Sequence, residues 1–254
     1  MTTAILSALP EEQAGLHALL QGALTVQHAG RSFWRGSLHG HAVVLALSGI
    51  GKVAAATTAT ALVEKFGAQR IVFTGVAGAL ADKVQVGDVV LGSAFLQHDM
   101  DATPLFPRYE VPMYARSCFD ADSMLNASLL IAIYDYMTLT LGQNSINSRL
   151  VHAFGAARGV KTCVHTGLIA SGDRFVSSAA EVQRLRSELP DALCVEMEGA
   201  AVAQVCHDYG LPFAAIRTIS DRADDAAHVD FAAFTKAVAG PYAVGIIGNW
   251  LKNN

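Results

Sequence analysis

Leu193-Cys194-Val195-Glu196-Met197-Glu198-Gly199-Ala200-Ala201 is an apolar run that ends in two carboxylates around a methionine and passes into small residues. Read as a buried strand followed by a helix, it is the repeating unit of an α/β protein. Side chains alternate along a strand, so Glu196 and Glu198 fall on one face at its end. In α/β folds that end opens onto the crevice where ligands bind. Acids left there without a task are costly. A plainer reading gives Glu198 to the first turn of the next helix, where the helix dipole favours an acid. This stretch alone leaves both readings open.

The same alternation recurs on either side of it. Ala4–Leu9 reads as a buried strand and Pro10-Glu11-Glu12 as a helix start, since proline and acids suit a first turn. Ser32–Leu38 and His41–Leu47 read as strands joined at His39-Gly40. The loop Ser48-Gly49-Ile50-Gly51-Lys52 leads into a helix over Val53–Phe66. Ile71–Phe73 reads as a strand entering a second glycine loop, Thr74-Gly75-Val76-Ala77-Gly78. After a turn at Gly87-Asp88, a strand runs from Val89 to about Ala94. Gln97–Pro112 is a loop of aromatics and prolines, long enough to suggest function or an interface. Helices are expected over Asp122–Leu141, Ala179–Glu188 and up to Tyr209, the last capped by Gly210. A polar surface turn is expected at 142–148. His165–Ala170 and Phe213–Ile219 read as strands, the latter running into Ser220-Asp221. A final helix, Phe231–Leu251, should be irregular at Gly240-Pro241. No linker divides the 254 residues. The expectation is a single α/β domain over 1–254, three layers deep, with a central, mostly parallel or mixed twisted sheet flanked by helices.

Composition narrows the function. The chain is 52% hydrophobic and 16% charged, with a net charge of −4 and neither a basic stripe nor an acidic tail. Nothing points to nucleic acid or an anionic membrane surface. The apolar run Ala237–Leu251 is short and interrupted for a membrane span. Cys118, Cys163, Cys194 and Cys206 have no metal-ligand spacing, so buried free thiols in a reducing compartment are expected. Acids at Glu11 and Glu12 and the absence of a basic start argue against a signal peptide. A cytoplasmic location follows as an expectation.

Each local motif has two readings. Gly49-Ile50-Gly51-Lys52-Val53-Ala54 fits a dinucleotide-binding turn, but the next strand supplies no acid for a ribose hydroxyl. The glycines equally suit a tight strand-to-helix turn. Gly75–Gly78 could cradle a ligand or allow close strand–helix packing. Asp221 suits a helix N-cap and Glu12 a helix-dipole acid. Phe175 suits a core. His98, near Asp99 and Asp101, lacks a second histidine at ligand spacing and reads as part of a polar loop rather than a metal site. Taken together, Glu12, Gly78, Phe175, Glu198 and Asp221 all fall at or just after strand ends, where they would gather along one edge of the sheet.

Six segments carry a resemblance: Ala8–Glu12, Ser48–Lys52, Gly75–Gly78, Ala170–Phe175, Val195–Ala200 and Arg217–Asp221. In this order the chain resembles the nucleoside phosphorylase/nucleosidase superfamily, and within it the 5'-methylthioadenosine/S-adenosylhomocysteine nucleosidases. The resemblance implies a cofactor-free and metal-free hydrolase that cuts the N-glycosidic bond of an adenine nucleoside. It implies that Asp221, held by Ser220, protonates purine N7, and that Glu12 places the attacking water with Arg217 nearby. Glu198 would bind the ribose hydroxyls, with Glu196 beside it and Met197 under the sugar. Phe175 would stack on adenine and the Val176 backbone would bond the base edge. Val76 and Gly78 would line the floor, and Leu9, Ile50 and Phe231 the 5'-alkylthio pocket. It further implies a homodimer in which Phe106, on the loop with Leu105 and Pro112, closes the partner subunit's pocket. An acid at Glu12 would repel phosphate, which favours water over phosphate as nucleophile. The alternatives are a purine nucleoside phosphorylase, a hydrolase of another adenine nucleoside such as aminodeoxyfutalosine, and a non-catalytic nucleoside-binding protein. Three features depart from the family pattern: Val76 stands where some members carry serine, the 131–161 segment is longer, and the 104–112 loop differs.

Overall fold

The computed structural model describes residues 1–141, 162–222 and 231–254. The expected polar turn at 142–148 lies outside them. Ten strands make one mixed sheet. They are β1 (Thr3–Ser7), β2 (Gln21–His28), β3 (Arg31–Leu38), β4 (His41–Leu47), β5 (Arg70–Ala79), β6 (Val89–Gln97), β7 (Cys118–Asp120), β8 (Val164–Ser171), β9 (Ala192–Glu196) and β10 (Phe213–Asp221). β1 runs parallel to β4 and β5, β5 to β10, and β8 to β6 and β9. The remaining pairings are antiparallel.

The expected α/β architecture is present, and part of the sheet also closes on itself. β5 bonds to β1 through residues 70–73, to β10 through 71–78 and to β9 through Gly78 and Ala79. With β9 on β8, β8 on β6 and β6 on β10, five strands form a ring. This closure corrects one expectation. Thr74–Gly78 is not a loop but the second half of β5. Gly75 is needed there because a Cβ would stand 2.9 Å from Glu12 Oε1 and 3.4 Å from Arg217 Nη1. A glycine inside a strand marks such a close approach.

Helices cover both faces. α1 (Pro10–Leu19), α3 (Ser123–Leu141) and α7 (Gly240–Lys252) bury Leu16, Leu129, Ile133, Tyr242, Ile246 and Trp250 against one face. α2 (Lys52–Glu64) and α5 (Gly199–Asp208) bury Ala55, Ala59, Leu62, Ala200 and Val202 on the other. Their alanines let α2 and α5 lie close together. α4 (Ala179–Glu188) covers a third cluster through Val182 and Leu185.

The C-terminal helix begins as α6 (Phe231–Phe234), widens to a π turn over Thr235–Ala239 and continues as α7. Its irregularity thus lies just before Gly240-Pro241: the Gly240 N–H bonds to Thr235 O, five residues back. A Cβ at Gly240 would meet the Glu11 carbonyl at 2.8 Å, so glycine lets this helix lie against α1. The whole run, Phe231–Lys252, which includes Lys236 and Lys252, is long and apolar enough to cross a membrane by length and composition alone. Here Tyr242, Ile247 and Trp250 are packed into the core.

Two strands were not foreseen. β2 is largely exposed, so it has no buried face to impose an alternating pattern. β7 has only three residues. Of the four cysteines only Cys194 and Cys206 are buried; Cys163 is exposed and Cys118 half-buried.

Candidate active site

The ends of β5 and β9 cross, with Gly78 opposite Val195. A cleft opens beside this crossing, lined by residues from several parts of the chain. Leu9 and Glu12 enter it from the β1–α1 turn, and Ile50 from the loop before α2. Val76 and Gly78 come from β5, Phe175 and Val176 from the segment after β8. Glu196, Met197 and Glu198 come from the β9–α5 junction, Ser220 and Asp221 from the end of β10, and Phe231 from the start of α6. Ala8, Ala77, Arg174 and Val195 complete the lining. Two residues selected from the sequence stand elsewhere. Arg217 lies behind the wall, 1% exposed, and Phe106 does not line the cleft of its own chain.

Glu12 does more than complement a helix dipole. Its Oε2 accepts the N–H groups of Ala8 and Leu9, both at 2.8 Å, and its Oε1 accepts that of Val76 at 3.1 Å. It therefore ties the β1–α1 turn to β5. Burial raises its pKa, against the opposing pull of these N–H groups and of Arg217.

Behind Glu12, Arg217 Nη2 donates to Glu196 Oε2 at 2.8 Å, while Nη1 reaches the carbonyls of Phe73 and Ile216, both at 3.2 Å. The guanidinium lies 4.2 Å from the Phe73 ring centroid, a cation–π contact. Burial works to lower the Arg217 pKa, but the Glu196 carboxylate holds it above its ordinary value.

The two acids of the opening stretch divide their work in a way the strand reading did not foresee. β9 stops at Glu196, and Glu198 is the N-cap of α5 with φ −138° and ψ −35°, so the two do not share a strand face. Glu196 takes the free N–H groups at the start of α5: Glu198 N at 3.1 Å, and Gly199 N at 3.0 and 2.9 Å. It also accepts the Ser171 hydroxyl, whose oxygen accepts the Ala200 N–H at 2.8 Å. Glu198 instead leans across the cleft and accepts the Gly51 N–H at 2.7 Å. Burial, with the neighbouring Glu196 charge, pushes the Glu198 carboxyl up to about 8.

The loop before α2 has positive φ at Gly49 and Gly51, +73° and +96°. Its anion-binding shape is filled from within the chain. Glu198 takes the Gly51 N–H, and Asp173 Oδ1 takes the Lys52 N–H at 2.7 Å. This is why a Gly-x-Gly turn here needs no phosphate.

At the far wall, the Ser220 hydroxyl donates to Asp221 Oδ2 at 2.6 Å. Phe175 and Phe231 stand edge to face, with ring centroids 6.1 Å apart and planes at 87°. Phe175 is 46% exposed and Ile50 58% exposed, so the wall at these two residues is open to solvent.

The family model that matches is the phosphorylase superfamily, over residues 2–241. The chain is 37% identical to the 5'-methylthioadenosine/S-adenosylhomocysteine nucleosidase of Anoxybacillus flavithermus, covering 94% of this chain and 93% of that protein. The nucleosidase of the same name from Neisseria meningitidis, solved with methylthio-immucillin-A, superposes with a TM-score of 0.85 at 33% identity, over 100% of this chain and 99% of that one. The chain belongs to the 5'-methylthioadenosine/S-adenosylhomocysteine nucleosidase family. Futalosine hydrolase of Helicobacter pylori is also close, with a TM-score of 0.82 at 29% identity, over 100% and 98% of the two chains. The protein is thus a nucleosidase, a hydrolase of N-glycosidic bonds.

Within this nucleosidase the sequence pattern missed the residues that hold the cleft together. Ser171, Lys52, Asp99 and Asp173 touch one another or the site's acids only across the fold. The one local signal was the polar run Ser171-Gly172-Asp173 directly after a strand. His98 is buried, and burial lowers its pKa. Its imidazole packs on Gly172, where a Cβ would meet Nε2 at 2.3 Å. Among the described residues, no group of three or more His, Cys, Asp or Glu side chains is placed to hold a metal ion.

Proposed function

We propose that this nucleosidase hydrolyses the N-glycosidic bond of 5'-methylthioadenosine and S-adenosylhomocysteine, releasing adenine and the thioribose product. The observation that carries the reading is the meeting in one cleft of Glu12, Glu198 and Asp221 with an aromatic corner, Phe175 and Phe231, and the apolar side chains of Leu9 and Ile50. Adenine is a poor leaving group until N7 is protonated. Asp221, oriented by Ser220, gives that proton, while Phe175 stacks on the base and the Val176 backbone bonds its edge. As the glycosidic bond lengthens, positive charge grows on the sugar. Glu198 at the ribose hydroxyls, with Met197 beneath the ring, strengthens its hold as this happens. Water then needs modest activation and accurate placement, which Glu12 supplies at the floor by Val76 and Gly78, with Arg217 behind it.

The charge of the cleft supports water rather than phosphate as nucleophile. Four lining residues are acids. Arg217 is occupied by Glu196, and Arg174 turns to solvent, 3.7 Å from Glu181. Neither arginine is thus placed to hold an entering phosphate.

The open wall at Ile50 supports the homodimer reading, with Phe106 of a second copy closing the 5' end. Free thiols at Cys118, Cys194 and Cys206 fit a cytoplasmic enzyme. A second reading, hydrolysis of an aminodeoxyfutalosine-type nucleoside, is favoured by the likeness to futalosine hydrolase.

The deciding experiment measures adenine release from methylthioadenosine, S-adenosylhomocysteine and aminodeoxyfutalosine, with and without phosphate. Phosphate-independent release from the two thio-nucleosides is expected. Release that requires phosphate would overturn the role of Glu12, and a preference for aminodeoxyfutalosine would move the assignment to the second reading.

A further inference from the structure

Three segments that approach the cleft from different parts of the chain are joined by one closed cycle of charged contacts. Lys52 Nζ lies 2.6 Å from Asp99 Oδ1. Asp99 Oδ2 accepts the Asp173 N–H at 2.8 Å, and Asp173 Oδ1 returns to the Lys52 N–H at 2.7 Å. Lys52 Nζ also donates to Gln97 Oε1 at 3.0 Å, and Gln97 Nε2 donates to Gln204 Oε1 on α5 at 2.8 Å. The Lys52 and Asp99 side chains are only 16% and 27% exposed. Burial opposes ionisation of Asp99, yet the Lys52 and Asp173 contacts hold its pKa below the usual carboxylate value.

The place of this cycle gives it a consequence. One residue before Lys52 is Gly51, whose N–H holds Glu198. Two residues after Asp173 is Phe175, in the cleft wall. A Cβ at Gly51 would stand 3.1 Å from Asp173 Oδ1, so the two loops are already in contact. The spacing between the aromatic wall and the Glu198 carboxylate is therefore set by Lys52, Asp99 and Asp173. Glu12 and Asp221 sit on other elements, the first turn of α1 and the end of β10, and none of the contacts of the cycle runs through them.

We infer that Lys52 is a positioning residue of the nucleosidase: through Asp99 and Asp173 it holds the adenine-facing wall against the ribose-facing acid. The inference rests on the proposed placement of adenine at Phe175 and ribose at Glu198. A partly exposed single ion pair adds little to stability. The cycle acts instead through geometry, because a wall displaced from its partner loosens ground-state binding of the whole nucleoside. The loss falls on KM rather than on kcat, since the proton donor and the water site keep their own supports and Glu198 keeps the Gly51 N–H.

The test compares Lys52→Met, Lys52→Arg and Asp99→Asn with wild type by steady-state kinetics, by calorimetric binding of adenine and by thermal unfolding. Lys52→Met should raise KM about tenfold, the loss of one charge-assisted contact, and weaken adenine by a similar factor, with kcat within roughly threefold. Asp99→Asn should reproduce this, the double variant should be no worse than either single one, and Lys52→Arg should restore most of the affinity. An unchanged KM, or equal loss in kcat and in thermal stability without rescue by arginine, overturns the inference. Wild-type activity separates the two levels. If wild type releases no adenine, the proposed substrate is wrong; if wild type is active and Lys52→Met behaves like it, only the positioning role is wrong.

Discussion

The guanidinium of Arg217 and the carboxylate of Glu196 meet at 2.8 Å with side chains only 1% and 3% exposed. This pair joins the support of Glu12 to the start of α5. Neither charge is tolerable alone, since a buried ion without its partner costs about 3–5 kcal/mol. Arg217→Met should therefore destabilise by about that amount in denaturant unfolding. Adding Glu196→Gln should recover part of the loss, because the stranded charge is gone. A double variant no more stable than Arg217→Met would show that the pair is not the source of the cost.

Asp221→Asn keeps the side chain's size and removes its proton. It should lower kcat by about 10²- to 10⁴-fold, the usual worth of a general acid, with little effect on folding. Full activity in this variant would end its assignment as the acid that protonates the base.

Glu198 links stability to pH. Its carboxyl is raised from an ordinary 4.5 to about 8 by burial and by Glu196, against the pull of the Gly51 N–H. In the interval between those values the folded chain keeps a proton that the unfolded chain has released. The stability from this group is present below the lower value and is lost as pH rises through about 8. Glu198→Gln cannot ionise, so its melting temperature should gain on that of wild type as pH rises across this window. A constant difference would count against the linkage.

Gly75→Ala adds one methyl group in the middle of β5, 2.9 Å from Glu12 Oε1. Either Glu12 or the strand must move. A cost of about 1–3 kcal/mol is expected in thermal unfolding, together with loss of adenine release as Glu12 is displaced. Wild-type activity in a folded Gly75→Ala protein would mean that the position of Glu12 matters less than its contacts suggest.

The cleft was legible wherever an apolar run stops abruptly. Asp221 at the end of β10, Glu198 after β9 and the glycines before α2 each announce a strand end, and strand ends are where such sheets bind ligands. What Arg217 touches was not legible, because its partner Glu196 is 21 residues away and on another strand. Nor was the division of work between Glu196 and Glu198, which depends on β9 ending one residue before Met197. Gly75 was misread as part of a loop for a related reason. Glycine lowers strand propensity locally, and only the approach of Glu12 and Arg217 explains its presence. β2 carried no signal at all, since an exposed strand has no buried face to imprint on the sequence.

The glycine turn at the start of α2 receives carboxylates from Glu198 and Asp173. The first N–H groups of that helix are thus already taken, at a cleft whose two arginines, Arg174 in the lining and Arg217 behind it, face acids of their own. A substrate with a phosphate on its 5' carbon would find neither donors nor a countercharge there, and adenosine 5'-monophosphate should neither be cleaved nor compete with methylthioadenosine. Such exclusion would sort nucleosides from nucleotides, so that a hydrolase of adenine glycosides would share a compartment with the adenylate pool without consuming it.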